Sequence, residues 1–557
     1  MLLKRKINRK IFISFGLVCS LLQLIICNGL FDLKPIDYKV STKAHTFSCS
    51  SAIPFLKYIS ELPHSVGTNF HDSVKNFIYA HCVQDSLKPI IQNATSIRKI
   101  NQHLICGNVQ NIITKIEGTE GKYTLLIAGH YDSHPNSFGA ADNGSAVSCM
   151  LKNIDIIHSV KCRNNIIFLF TDQEETGQLG AQVFVDSIAM AQKIDFVINF
   201  DARGNSGVNY IFETSQNSGW IINEVSKSMQ RPITSSLAYN IYQRMPNTTD
   251  FTVFKNYGYQ GINLAFIEGL PFYHSYSDNI NNLDLRSFQN QGEDMLQLIL
   301  HFGNANLQKK DVVKEVYFNL SQKILIIYPK WLDNIFFTSS ILLLFILVYI
   351  QVGRDYKKLK QLIFHTVLCI SIILTILLFS LFVTKIILYE NPYFYNLYGW
   401  EPYKIGVFIW IYFGVMFLVS VIYYNIIFSK LDTVFLNIIN GIVLFLILLL
   451  IKFLLPDGSY IIYLPLIALL ILTVLSVKLN ISFQENNILT LCFILAFMSA
   501  PFILWLPLSK ATLAIFGFQS VLPTVFVISL FFLMIGPFVR IFLIRRGMLK
   551  ILLFFLR

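Results

Sequence analysis

Hydrophobic and polar positions divide the chain into two regimes. Over residues 40–310, short apolar runs alternate with amphipathic stretches. The runs at 123–129, 166–170, 196–200 and 262–266 are almost entirely apolar, the pattern of parallel strands covered on both faces. Between and after them, 144–158, 178–190, 217–230 and 285–303 read as helices. The alternation predicts an α/β domain with a mixed, mainly parallel sheet. Farther on the pattern changes: 334–353, 361–384, 405–429, 433–451, 458–477, 486–509 and 511–539 contain no Asp, Glu, Lys or Arg. Each is near or above the length one membrane-crossing helix needs, which predicts a polytopic α-helical transmembrane region of about seven helices over 334–540. Pro501, Pro507, Pro523 and Pro537 are expected to interrupt the last two.

Charge orients these spans. Lys4, Arg5, Lys6, Arg9 and Lys10 precede an apolar run at 11–30, read as an uncleaved signal anchor with a cleaved signal peptide as the rival. Either keeps residues 1–10 in the cytosol and sends 40–310 into the lumen. Arg354, Lys357, Lys358 and Lys360 place the first later connection in the cytosol. The 385–404 connection, with Tyr393, Tyr395, Trp400 and Tyr403, suits a lumenal interface. Arg540, Arg545 and Arg546 close the last span, and 541–557 is a basic apolar tail.

Composition sharpens this picture at three points. Mean hydropathy is +0.53 and charged residues make up 14%, too apolar for an ordinary soluble protein. The net charge of +12 falls largely beside hydrophobic spans, and no zinc-finger, RNP or basic-helix motif accompanies it, so a nucleic-acid partner is not expected; the lipid bilayer is. Among nine cysteines, Cys49, Cys82, Cys106, Cys149 and Cys162 lie in the lumenal region without the spacing of a metal knuckle. An odd number leaves at least one thiol free, and Cys149 on a buried helix is expected to be a packed thiol. Asn93, Asn247 and Asn319 head glycan-acceptor triplets.

The chemistry gathers at strand ends, where open α/β sheets place their sites. The first strand runs into His130 and Asp132, the second into Glu174 and Glu175, the third into Asp201, and the fourth precedes a loop with His274 and Asp278. Asp142 lies in a glycine-bounded segment, 139–144. Imidazole nitrogen and carboxylate oxygen are ordinary zinc ligands, and a two-metal hydrolytic site needs a shared carboxylate, further ligands on each ion and a free carboxylate as base. The residue types present supply those parts. His134, His158 and His301 have no motif around them and are read as non-functional.

His-x-Asp at 130–132, Gly-Ala-x-Asp-Asn-Gly at 139–144, the Glu pair, Asn-Phe-Asp at 199–201 and Tyr-His-x-x-x-Asp at 273–278 together resemble the co-catalytic zinc aminopeptidase family. Stretches at 56–69, 204–220 and 246–251 resemble its endoplasmic reticulum metallopeptidase and vacuolar membrane protease branch. The resemblance implies a phosphorylase/hydrolase-like zinc exopeptidase domain holding two zinc ions and acting on a peptide or protein substrate. It assigns His130 and Asp201 to one ion, Glu175 and His274 to the other, Asp142 as bridge, and Glu174 as general base. It also implies that Asp132 hydrogen-bonds the His130 imidazole and that the Asp142–Asn143 peptide is cis. Asp278 either orients His274 or caps a turn. The chain departs from the branch in ending at Arg557 without a large C-terminal lumenal domain, and in reading Asn247-Thr248-Thr249-Asp250 where an additional acid is usual. The expected function is a membrane-bound metallo-exopeptidase, aminopeptidase-like, in the endoplasmic reticulum membrane or alternatively the vacuolar membrane. The rival functions are a catalytically silent scaffold of the same fold and a single-zinc glutaminyl cyclase. A transporter reading of the membrane half is disfavoured, because its uncharged spans place Asp457 and Glu485 between helices.

Overall fold

The computed structural model describes Pro35, residues 45–390 except 101, 188–192, 216–218 and 309–313, and residues 411–545 except 413, 417, 420–422, 425–427, 429, 479–487 and 518–519. The chain divides into two units: Leu33–Pro329, and Met1–Asp32 together with Lys330–Arg557.

The first unit begins with α1, Cys49–Ile59, and α2, Asn69–Gln84, followed by β1, Ile90–Ile100, and β2, His103–Ile116. Then come β3, Thr124–His130; α3, Ala146–Val160; β4, Asn165–Thr171; α4, Leu179–Asp186; β5, Phe196–Ala202; and β6, Ser206–Thr214. Helices α5, Gly219–Ser228, α6, Ser236–Tyr242, and α7, Asp250–Tyr257, lead to β7, Gly261–Glu268, and α8, Leu285–Phe302. A hairpin of β8, Glu315–Ser321, and β9, Ile324–Pro329, ends the unit.

The strand order β1-β2-β4-β3-β5-β7-β6 puts four parallel strands, β4, β3, β5 and β7, at the centre. Antiparallel pairing adds β1 and β2 on one side and β6 on the other. Strands β3, β4 and β5 are buried along their whole length, which is why they are apolar without alternation. The side-chain period of two still sorts their contacts. Leu125 and Ile127 pack with α1, α2, α3 and α8, whereas Leu126 and Ala128 pack with α4 and α7 on the opposite face. The expected mixed, mainly parallel sheet is therefore present. The antiparallel strands escaped the sequence reading because they are only partly covered and carry polar residues; β6 alternates buried and half-buried positions.

In the second unit, five helical stretches among the described residues are long and apolar enough to cross a membrane: Leu332–Val352, Tyr356–Glu390, Thr433–Leu454, Pro456–Lys478 and Ser499–Phe516. This is a multi-pass membrane protein. Phe345, Leu378 and Phe382 stand exposed along these helices, as lipid-facing side chains do. The helix Ile488–Phe516 continues through Pro501 and Pro507, and Leu522–Arg545 through Pro537. The expected interruptions are thus absent: apolar membrane helices accommodate proline by local adjustment of the freed backbone groups. Pro523 sits in the first turn, where its missing N–H costs nothing. The 11–30 anchor, residues 391–404, much of the 405–429 stretch and the tail from 546 lie outside the described residues. In the first unit, Cys49, Cys82, Cys106, Cys149 and Cys162 are free thiols, and Cys149 is buried as expected.

Candidate metal centre

The carboxyl edge of the parallel strands carries the polar residues. His130 is the last residue of β3, and Asp201 lies one residue before the end of β5. Nε2 of His130 is 3.1 Å from Oδ1 of Asp142 and 3.8 Å from Oδ1 of Asp201. Nε2 of His274 is 3.2 Å from the other Asp142 oxygen, Oδ2, and 3.1 Å from Oε2 of Glu175. Two trios of ligand-type atoms result, His130/Asp142/Asp201 and Asp142/Glu175/His274, each with its atoms within 4.8 Å of one another. Asp142 is common to both and offers one oxygen to each imidazole.

The segment that presents Asp142 is held from several directions. Gly139 has φ +64, and a Cβ there would stand 2.8 Å from Cβ of Ser133 and 2.9 Å from Cε1 of His64, so the turn demands glycine. The Asp142–Asn143 peptide is cis, as the resemblance implied. The Asn143 amide donates to the Phe200 carbonyl at 2.9 Å. The Asp278 carboxylate accepts from the backbone N–H of Ala141 at 2.7 Å, from that of Asp142 at 3.2 Å and from the Ser137 hydroxyl at 3.1 Å. These contacts are those of a turn cap: Asp278 anchors the Asp142 loop.

Asp132 also differs in detail from expectation. Nδ1 of His130 meets the Asp132 carbonyl at 2.9 Å, while the carboxylate stands 3.5 Å away. That carboxylate pairs with the His130 ring at this distance and also accepts from the backbone N–H of Glu174 at 3.0 Å and of Glu175 at 3.2 Å. One residue thus fixes the tautomer of His130 through its backbone and the Glu174–Glu175 turn through its side chain. Glu174 is buried in that turn rather than solvated at a helix end, and Gln178 donates to its Oε1 at 3.2 Å. The acid at 250 is buried at the start of α7 and accepts from the Thr171 hydroxyl.

Crowded carboxylates in a dry site respond to one another. Burial, together with the charges of Asp201, Asp250 and Glu175, pushes Glu174 well above the usual carboxylate range. Burial and the Asp142 charge raise Glu175 to about 7. Burial opposes protonation of the two histidines, but the carboxylates overcome it: His130 stands well above its ordinary value and His274 rises to about 10. Asp142, despite burial, is held below the usual range by the hydrogen bond from His130 and by the positive charge of the His274 imidazole beside it. Glu175 Oε1 and His274 Nε2 are buried without a hydrogen-bond partner; the two short His274–carboxylate approaches are not aligned as hydrogen bonds. A donor set of two imidazole nitrogens and three carboxylates, two of its atoms buried without a hydrogen-bond partner, fits a pair of divalent cations, and its N/O composition fits zinc.

Aromatic rings enclose His274. Tyr273 stacks on it at 3.7 Å between centroids, and His134 stacks on it at 4.3 Å. His134 was read as non-functional from the sequence. Only its place on the loop between His130 and Gly139 hinted otherwise. His301, by contrast, pairs with Glu224 at 2.8 Å. Of the glycan-acceptor asparagines, Asn93 is exposed on β1 and Asn247 is half-buried. The Asn319 amide donates to the Pro232 carbonyl at 2.7 Å and the Ser321 carbonyl at 3.3 Å, so a sugar there would displace a bonded N–H.

Residues 111–299, the stretch that holds every member of both trios, match the profile of peptidase family M28. Over that stretch the globular unit is similar to that family. The human endoplasmic reticulum metallopeptidase 1 is 26% identical over 317 residues, covering 52% of this chain and 35% of the relative. The vacuolar membrane protease of Candida glabrata is 25% identical over 422 residues, covering 70% of this chain and 43% of the relative. The chain thus spans between a third and a half of the length of these two relatives. Among solved structures, a Porphyromonas gingivalis glutaminyl cyclase is 21% identical, covering 45% of this chain and 97% of its own, with a TM-score of 0.37.

Proposed function

We propose that the chain is a membrane-bound metallo-exopeptidase of the aminopeptidase type, hydrolysing peptide bonds with two zinc ions and Glu174 as general base. The observation that carries this reading is the sharing of Asp142 between two ligand trios, the arrangement a co-catalytic pair requires. His130 and Asp201 would hold one ion, Glu175 and His274 the other, and Asp142 both. When bound, the ions supply Lewis-acid polarisation of the scissile carbonyl and acidify the attacking water.

The remaining work falls to the chain. Glu174 takes a proton from water as the new C–O bond forms and returns it to the amine nitrogen as the C–N bond breaks. Its burial and its carboxylate neighbours favour holding that proton between the two steps. Asp132 keeps Glu174 and Glu175 in one rigid turn, and Asp278 keeps Asp142 in place. Arg98, whose charge acts on Glu174 and Asp250, is engaged with the Gly177 carbonyl and the Gln178 side chain. The acidic cleft suits a free amino terminus. By the charge pattern the catalytic unit stands on the lumenal side of the endoplasmic reticulum or vacuolar membrane, anchored by the spans of 11–30 and 334–540.

The test is Glu174→Gln in the full chain. Zinc content should be unchanged while turnover of amino-terminally free peptides falls by orders of magnitude. Undiminished turnover excludes Glu174 as the base, and cyclisation of amino-terminal glutamine without peptide cleavage would favour the glutaminyl cyclase alternative.

A further inference from the structure

The two imidazoles of the centre are held by different physical means. His130 has a backbone partner on its second nitrogen, the Asp132 carbonyl at 2.9 Å. Metal-binding histidines usually have such a partner, which fixes ring orientation. Among the described residues no hydrogen bond holds the second nitrogen of His274. Its backbone lies in the left-handed region, with φ 53, where a side chain is not favoured. What does contact the ring is a pair of faces. Tyr273 lies nearly parallel to it, at 22° and 3.7 Å. His134 lies more nearly parallel still, at 11° and 4.3 Å. Two rings cannot stack on the same face of an imidazole at such distances without overlapping each other. They therefore occupy opposite faces, and His274 is the middle layer of a three-ring stack. Nδ1 of His134 accepts from the backbone N–H of Asn136 at 3.3 Å, which helps to fix the outer ring on its own loop.

We infer that His134 is a positioning residue for the metal centre: by closing the face of His274 opposite Tyr273, it sets the orientation of that ligand by ring stacking where His130 is set by a hydrogen bond. The inference rests on the reading of His274 as a metal ligand. It concerns the shape of the His134 side chain and not its nitrogens, so a flat ring of another kind at 134 should serve.

The experiment uses the full chain in detergent, stripped of metal and titrated with zinc against a competing chelator. The wild-type chain should take up two ions. His134→Ala should weaken one of them roughly 10- to 100-fold, the effect usual for losing a ligand's support, and leave the other unchanged. His134→Phe should restore the lost affinity. Metal-free wild-type and His134→Ala chains should melt alike, because the stack matters when His274 must present its nitrogen to an ion. The inference is overturned if His134→Ala binds both ions as the wild type does, if His134→Phe is as weak as alanine, or if the metal-free variant is destabilised enough to account for the loss. These results would leave the two-ion reading intact. A wild-type chain that binds no second ion, or whose binding survives His274→Ala, rejects the ligand assignment itself and this inference with it.

Discussion

Removing the Asp278 carboxylate should loosen the loop that carries the shared ligand. Asp278 is buried, and its two oxygens satisfy the N–H groups of Ala141 and Asp142 and the Ser137 hydroxyl. The hydroxyl can rotate to another partner; the two backbone donors cannot. A buried donor left unpaired costs about 1–3 kcal/mol, so Asp278→Ala places about 2–6 kcal/mol on the conformation that presents Asp142. Asp278→Asn keeps one accepting oxygen and turns an NH2 group toward the other donors, at about 1–3 kcal/mol. At about 1.4 kcal/mol per tenfold, the asparagine variant should bind zinc at least several-fold more weakly, and the alanine variant more weakly again. Chelator-competition titration reads the affinity, and amide hydrogen exchange over 139–145 reads the local opening. Zinc affinity and exchange in both variants matching the wild type would refute the anchoring role.

Three further outcomes follow from the same geometry. Burial is the first cause that raises Glu175, Asp250 and Asp278 to about 7; the folded metal-free chain then binds protons that the unfolded chain, with ordinary carboxyls near about 4, releases. That stability is present below pH about 4 and is lost as pH rises through about 7, so metal-free melting temperatures should fall between about pH 5 and about pH 8 and zinc should offset the fall; a rise with pH would contradict the sign. Gly139→Ala combines a positive φ with a Cβ 2.8 Å from that of Ser133, and should destabilise the metal-free chain by about 1–3 kcal/mol or more, seen as a lower melting temperature; an unshifted melt would show that the loop yields. On lumenal expression Asn93→Gln should remove one glycosidase-sensitive shift in gel mobility while Asn319→Gln leaves mobility unchanged, because the Asn319 amide is already committed to Pro232 and Ser321.

Physical reasons separate what was legible in the chain from what was not. The central strands were legible because burial on both faces leaves an uninterrupted apolar signature, and β3, β4 and β5 are buried throughout. The half-covered β1, β2 and β6 mix polar and apolar positions; β1 and β2 form a local hairpin, but the pairing of β2 with β4 and of β6 with β7 joins strands distant along the chain. The proline-bearing membrane helices illustrate the opposite error. Proline is a strong local signal, but Pro501 and Pro507 remain inside one helix, since in an apolar setting the backbone gains more from continuing than from exposing carbonyls to lipid.

The same distinction operates inside the centre. Residues that present a nitrogen or carboxylate to a metal must be of particular types, so the proposed ligands His130, Asp142, Glu175, Asp201 and His274 are conspicuous as letters. Residues that support them act through geometry, which letters do not encode. Asp278 stands four residues after His274, and the sequence leaves open whether it serves that ring or a turn; its carboxylate reaches back to Ala141 and Asp142. Asp132 holds His130 most closely with its carbonyl, a group every residue possesses, while its distinctive carboxylate, 3.5 Å from that ring, also binds the backbone of Glu174 and Glu175. His134 carries the most ligand-like of side chains and is used as a flat surface against His274. In each case the supporting role depends on where loops from different strand ends converge. A centre assembled from four such loops will therefore show its ligands in the sequence and conceal the contacts that aim them.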